Sequence, residues 1–178
     1  MKPELRLKKL IMGVPPLTLA VAESLTSGHL QARIASVSGA SNYFLGGITA
    51  YSLVQKVKHL GVDRSAARQV DCVSQQVAVE MARGAIDLFG ADIAVATTGY
   101  AEPNPAAGVK VPTAWWALCH QLRGGRTTVI SGLVEVRGAK RVEAQEKIAE
   151  EVLDALVSYL QEWRVASLDK NSRKKTRR

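Results

Sequence analysis

The segment Leu17–Gly28 constrains this chain more than any other. Leu17 to Ala22 is a short apolar run behind Pro15-Pro16, and it reads as a buried strand. Glu23, Ser24, Thr26, Ser27 and Gly28 then crowd into a polar turn, after which Leu30, Ile34 and Val37 recur at helical spacing. The first N–H groups of a helix have no intrahelical acceptor, and the helix dipole places partial positive charge there. A hydroxyl on such a turn stands beside donors for an anion, either a phosphate or the oxyanion of acyl transfer. An ordinary helix N-cap, in which Ser24, Thr26 or Ser27 satisfies backbone donors, accounts for the same residues.

The rest of the chain repeats the alternation of strand and helix. Residues 3–12 have helical spacing, closed by the two prolines. Leu45–Ser52 is a second strand candidate, followed by a helical piece from Leu53 to Leu60 that Gly61 ends. Asp63 caps a short segment, and Ser74 opens a helix with Val77, Met81, Ala85, Ile86 and Phe89 on one face. Asp92–Gly99 reads as a third strand. Tyr100 to Pro112, with its prolines, reads as a long irregular loop of the kind that tends to carry function. Thr113–Leu122 and Thr127–Val136 read as a hairpin through Gly124-Gly125, with Trp115-Trp116 as strand core. Residues 139–163 form an amphipathic helix. This order implies a layered α/β domain whose mostly parallel sheet carries an antiparallel strand.

Composition narrows the classes. At 178 residues with 47% hydrophobic content, the chain is one soluble domain, spanning residues 1–166, plus a tail. No apolar run approaches bilayer length, and no secretory leader is expected, which points to the cytoplasm. Cys72 and Cys119 read as cytosolic thiols. Six basic residues lie in the last nine positions, so most of the formal +8 belongs to residues 170–178 and the remainder is close to neutral. Residues 167–178 are expected to be a disordered basic tail, with only salt-sensitive affinity for polyanions such as nucleic acid.

Three strand ends carry polar groups: Glu23/Ser24, Tyr51/Ser52 and Thr97/Thr98. In open α/β sheets the ligand crevice lies at the carboxyl ends of the strands, so these can converge. Lys56, one helical turn beyond Tyr51, can point into the same crevice. A desolvated lysine is able to take the proton of a serine nucleophile, although most lysines are solvated surface cations. His29, His59 and His120 share no ligand spacing, so no metal site is expected, and no Walker A or Rossmann fingerprint is present.

At these residues the chain resembles the CinA C-terminal domain family. Ala22-Glu23-Ser24-Leu25-Thr26-Ser27-Gly28 is similar to that family's Ala-Glu-Ser-Cys-Thr-Gly-Gly. Tyr43–Gly47, Tyr51-Ser52 through Lys56, and Leu60-Gly61-Val62 match its second block. Val73-Ser74, Val79–Ala82, Gly84-Ala85, Gly90–Asp92 and Thr98-Gly99 match a third. The similarity covers roughly residues 17–122, without the nucleotide pyrophosphatase-like domain that precedes it in longer members. It implies a three-layer α/β/α sandwich with a mixed five-stranded sheet, a homo-oligomer, and nicotinamide-mononucleotide deamidase activity without a cofactor. On that resemblance Ser24 is the nucleophile, Lys56 its base and Tyr51 an orienting residue. Glu23, Thr26, Ser27, Gly28, Thr98, Gly99 and Glu102 would surround the substrate, with amides near Thr26 and Ser27 receiving the oxyanion.

This sequence departs from the family pattern in three places. Leu25 and Ser27 stand where the family has Cys and Gly. The family's phosphate-cradling Ala-Gly-Pro-x-Gly-Gly loop is here Ala101-Glu-Pro-Asn-Pro-Ala-Ala-Gly108, in which Glu102 adds a carboxylate and two prolines remove donors. A Gly-Asp-Arg-x-x-Val-Arg-like segment becomes Gly138–Ala144, where Lys140 or Arg141 covers the first basic position. These changes are expected to weaken turnover of the nucleotide. They leave open a phosphate-free amide substrate, or a non-catalytic paralogue that binds a small ligand or partner. Deleting residues 167–178 is expected to leave melting temperature and any hydrolytic activity unchanged, because the tail has almost no apolar residues to bury. A large fall in melting temperature on truncation would show that it docks.

Overall fold

The computed structural model describes residues 1–122 and 124–175, with side chains as far as Ser167. Five strands form one sheet: β1 (Leu19–Glu23), β2 (Phe44–Thr49), β3 (Ile93–Tyr100), β4 (Thr113–Leu122) and β5 (Arg126–Glu135), in the order β2-β1-β3-β4-β5. β1 runs parallel to both β2 and β3, whereas β4 is antiparallel to β3 and to β5. The helices are α1 (Pro3–Ile11), α2 (His29–Ala35), α3 (Leu53–Leu60), α4 (Arg64–Gln69), α5 (Gln75–Phe89) and α6 (Arg141–Lys175). They cover both faces, so the domain is a three-layer α/β/α sandwich on a mixed sheet.

The alternation of side chains along the strands assigns each face its partners. Leu19 and Val21 of β1 and Ile93 and Val95 of β3 join Leu7, Ile11, Leu30, Ile34, Ile148 and Leu156 from α1, α2 and α6 in one core. Ala20, Ala22, Ala94, Ala96 and Ala117 face the other way, against Ala78, Met81, Ala82 and Ala85 of α5. Small residues on both surfaces let α5 pack close to the sheet. Gly84 extends that closeness to α3: a Cβ there would lie 2.1 Å from the Leu60 carbonyl oxygen. α3 is thereby held hard against α5, which matters for the lysine it carries.

Several element limits differ from those read in the sequence. β1 begins at Leu19 rather than Leu17, and β2 ends at Thr49, leaving Tyr51 and Ser52 in the loop where Ser52 caps α3. Val37 lies beyond the end of α2 yet stays buried. α6 does not stop at Trp163 but continues to Lys175, because no Gly or Pro interrupts it and its last turns are basic, which suits a helix C-terminus. The segment expected to be a disordered tail thus continues this helix through Lys175; residues 176–178 and the side chains from Leu168 onward lie outside the described residues. Within the 100–112 loop, Asn104 caps a short 3-10 turn, Pro105–Ala107, and pairs with Val109. Among the described residues no helix is long and apolar enough to cross a membrane.

His120 gives the fold a pH dependence. Its ring is buried on β4, with Nδ1 2.8 Å from the Tyr159 hydroxyl and Trp163 edge-on at 4.9 Å. Burial pulls its pKa down to about 4. Between that value and the ordinary 6.5 the unfolded chain binds a proton that the native chain does not, so stability is lost as pH falls through this window. We expect a loss of roughly 3 kcal/mol in urea-unfolding free energy between pH 7 and pH 4 from this residue. His120→Gln should flatten that slope; an unchanged pH profile in the variant would show that other groups dominate.

Candidate active site

Ser24 stands on the turn that leaves β1, and its neighbours hold that turn in an unusual way. Glu23 is fully buried, and its carboxylate accepts from the N–H groups of Gly28 (3.0 Å), Leu30 (3.2 Å) and Gln31 (2.9 Å). The cap of α2 is therefore Glu23, reaching over the turn, and not a Ser or Thr hydroxyl. Glu23 therefore faces its own helix and is not part of the crevice lining. The Ser27 amide is also taken, donating to the Ser24 carbonyl at 3.1 Å. Thr26 is buried, and its hydroxyl, 2.7 Å from that of Thr97 on β3, anchors the turn. Ser27 and Gly28 have φ of 51° and 99° and lie outside the crevice. The left-handed value at Ser27 explains why glycine suits that position in the family pattern. Gln145 of α6 completes the clamp by donating to the Leu25 carbonyl at 2.7 Å.

Lys56 lies on the inward face of α3 and is 1% exposed, against 6% for Ser24. Its Nζ donates to Ser24 Oγ at 2.8 Å, to the Ala50 carbonyl at 2.9 Å and to the Tyr51 carbonyl at 3.0 Å. Burial lowers its pKa from the ordinary 10.5, with the negative potential of Cys72 and Asp71 opposing the fall. An ammonium has three donors, and all three are used here. Once deprotonated, the amine can keep two N–H bonds to the carbonyls and turn its lone pair toward the Ser24 hydroxyl. Tyr51 thus orients the lysine through its backbone, not through its phenol.

The pair opens into a crevice of about 480 Å³, lined by Thr98, Gly99 and Glu102 together with Tyr51. Thr98 is nearly buried and donates to the Cys72 carbonyl at 2.7 Å. Gly99 is required sterically, since a Cβ would lie 2.1 Å from the Thr113 carbonyl oxygen. At the mouth, Arg141 donates to Glu102 at 2.6 Å and to the Tyr51 hydroxyl at 2.7 Å. Of the two basic candidates, it is Arg141 that lines the crevice.

Sequence reasoning missed Arg68, Asp71, Cys72 and Tyr100, all on the lining. Tyr100 follows Thr98-Gly99 at a strand end and was open to the same strand-end argument. Asp71 and Cys72 carry no such signal: they reach the site through consecutive left-handed φ values of 48° and 60°, rare for non-glycine residues. Asp71 accepts from the Tyr100 hydroxyl at 2.8 Å; burial and this bond push the Tyr100 pKa up to about 12. A larger groove of about 630 Å³ adjoins across Asp71, Tyr100 and Asn104, but it includes neither Ser24 nor Lys56.

A family model, the CinA C-terminal domain, matches residues 9–160. The chain belongs to this family. A CinA-like protein of Chlorobium limicola is 41% identical over 147 residues, covering 82% of this chain and 34% of that protein. A putative competence-damage inducible protein of Moorella thermoacetica is 46% identical over 94 residues, 53% of this chain and 23% of its own length. The CinA domain described here spans about a third or less of the curated relatives it matches. Among solved structures, a CinA superfamily protein of Klebsiella pneumoniae superposes with a TM-score of 0.81 at 25% identity, covering 90% of this chain and 97% of its own. A competence or damage-inducible protein of Enterobacter asburiae gives 0.77 at 26%, covering 89% and 96%.

Glu23 offers a direct test of how the CinA turn is held. Glu23→Ala should cost about 3 kcal/mol or more in urea-unfolding free energy, because three amides lose a charged acceptor in a buried place. A loss below about 1 kcal/mol would show that the turn stands without it.

Proposed function

We propose that this domain is an amidohydrolase that cleaves a small carboxamide through Ser24, with nicotinamide mononucleotide as the reference substrate. The observation that carries the reading is the 2.8 Å contact between Ser24 Oγ and a buried Lys56 amine whose other two partners are fixed carbonyls. Lysines are normally solvated; in one held dry against a serine, burial lowers the pKa, which is the direction a general base needs.

In this mechanism neutral Lys56 takes the Ser24 hydroxyl proton as Oγ attacks the carboxamide carbon. The amides of Ser24, Leu25 and Thr26 have no acceptor among the described residues, and it is to this turn that we assign the donors of the oxyanion. The tetrahedral intermediate collapses as Lys56 returns its proton to the leaving nitrogen, releasing ammonia and an acyl ester on Ser24. Water, deprotonated by the same amine, attacks that ester; the carboxylate product leaves and the Ser24 hydroxyl is restored.

Ammonia release from nicotinamide mononucleotide and related amides tests this reading. Ser24→Ala and Lys56→Met are each expected to lower kcat/KM by roughly 10³-fold or more while the variants still melt cooperatively. Because only the neutral amine acts as base, wild-type kcat/KM should rise with pH through a midpoint below 10.5, and Lys56→Met should lose that limb. Absence of ammonia release from every amide would favour the ligand-binding paralogue.

A further inference from the structure

The fixed charges around Ser24 bear on which carboxamide can enter. Besides Lys56, the crevice is lined by two guanidiniums, Arg68 and Arg141, and two carboxylates, Asp71 and Glu102. With the lysine neutral these charges cancel, so a phosphate dianion finds no cationic surplus. Arg141 is moreover engaged at both ends of its fork, Nη1 to Glu102 at 2.6 Å and Nη2 to the Tyr51 hydroxyl at 2.7 Å. A phosphate seeking bidentate contact with this guanidinium would have to displace the Glu102 carboxylate or sit against it.

Much of the adjoining loop's backbone is unavailable to make up the difference. Pro103 and Pro105 have no N–H. The Asn104 and Val109 amides donate to each other's carbonyls at 2.9 Å, Ala107 donates to Asn104, and Gly108 donates to Pro105. The Asn104, Ala107, Gly108 and Val109 amides are thus closed upon the loop itself, which leaves those of Ala101, Glu102 and Ala106 without a partner among the described residues. Sugar hydroxyls, in contrast, can donate to the Glu102 and Asp71 carboxylates as they stand.

We infer, resting on the amidase reading above, that the site selects carboxamides with an uncharged, hydroxylated far end over phosphorylated ones, and that Glu102 sets this preference by holding Arg141. Glu102 is here a positioning residue that acts through the arginine.

The test compares nicotinamide ribonucleoside with its phosphorylated form, nicotinamide mononucleotide, in an ammonia-release assay. Wild type is expected to favour the nucleoside in kcat/KM by about tenfold or more. Glu102→Gln should move the ratio toward the phosphorylated compound by a similar factor, mainly through KM, and Glu102→Asp should keep the wild-type preference. Adding Arg141→Met to Glu102→Gln should erase the shift. Inorganic phosphate binding, measured by calorimetry on the same proteins, reads the release of Arg141 without turnover: Glu102→Gln should tighten it and the double variant should not. A phosphate-binding shift with no ammonia from either compound would sink the amidase reading and leave the charge argument standing. Ammonia release with an unchanged ratio, or a wild type that favours the phosphorylated compound, would overturn the inference. Neither ammonia nor a phosphate-binding shift would overturn both.

Discussion

A buried amine with three acceptors sets the terms for this domain. Placing Lys56 inside costs several kcal/mol unless its donors are satisfied or its charge is shed. The three acceptors come from two strand ends: Ser24 just beyond β1, and the Ala50 and Tyr51 carbonyls just beyond β2. They meet only because these strands are parallel neighbours that finish at one edge of the sheet. The helix that follows β2 then has to return the lysine within a turn and a half, and Gly84 lets α5 press α3 into that position. Sheet order, helix docking and the state of one amine are thus a single arrangement.

The two faces of the sheet divide the remaining work. Bulky Leu, Ile and Val side chains bury most of the apolar volume under α1, α2 and α6. The opposite face is built from alanines, which contribute less burial per residue but allow a close approach. Packing that tight leaves little freedom for α5, and through it for α3.

Much of this was legible in the sequence, for reasons that differ from residue to residue. The apolar runs around Val21, Val95 and Leu118 announce strands because a two-sided sheet needs them. Lys56 was legible from its distance to Tyr51, since one helical turn returns a side chain to the same end. The role of Glu23 was not, because a carboxylate that caps amides five to eight residues ahead follows no local capping pattern. Asp71 and Cys72 were hidden for a different reason: their left-handed backbone follows the end of α4, where the Cys72 amide returns to the Ala67 carbonyl, and neither residue type signals it. The end of α6 was misjudged because its apolar stripe fades after Trp163, whereas the backbone needs only the absence of a breaker to continue. Glu102 was visible as an odd carboxylate, but its partner Arg141 lies 39 residues away and is brought to it by the fold.

The bond from Gln145 to the Leu25 carbonyl spans 120 residues of chain. During synthesis the turn bearing Ser24 leaves the ribosome first, and the side chain that clamps it emerges roughly 6–24 s later at ordinary elongation rates. Thr97, which locks Thr26, also arrives late, 71 residues behind its partner. A nascent chain therefore carries its serine for seconds without the surroundings that align it. Whatever reactivity the finished turn has is withheld until Gln145 has emerged and folded back onto it.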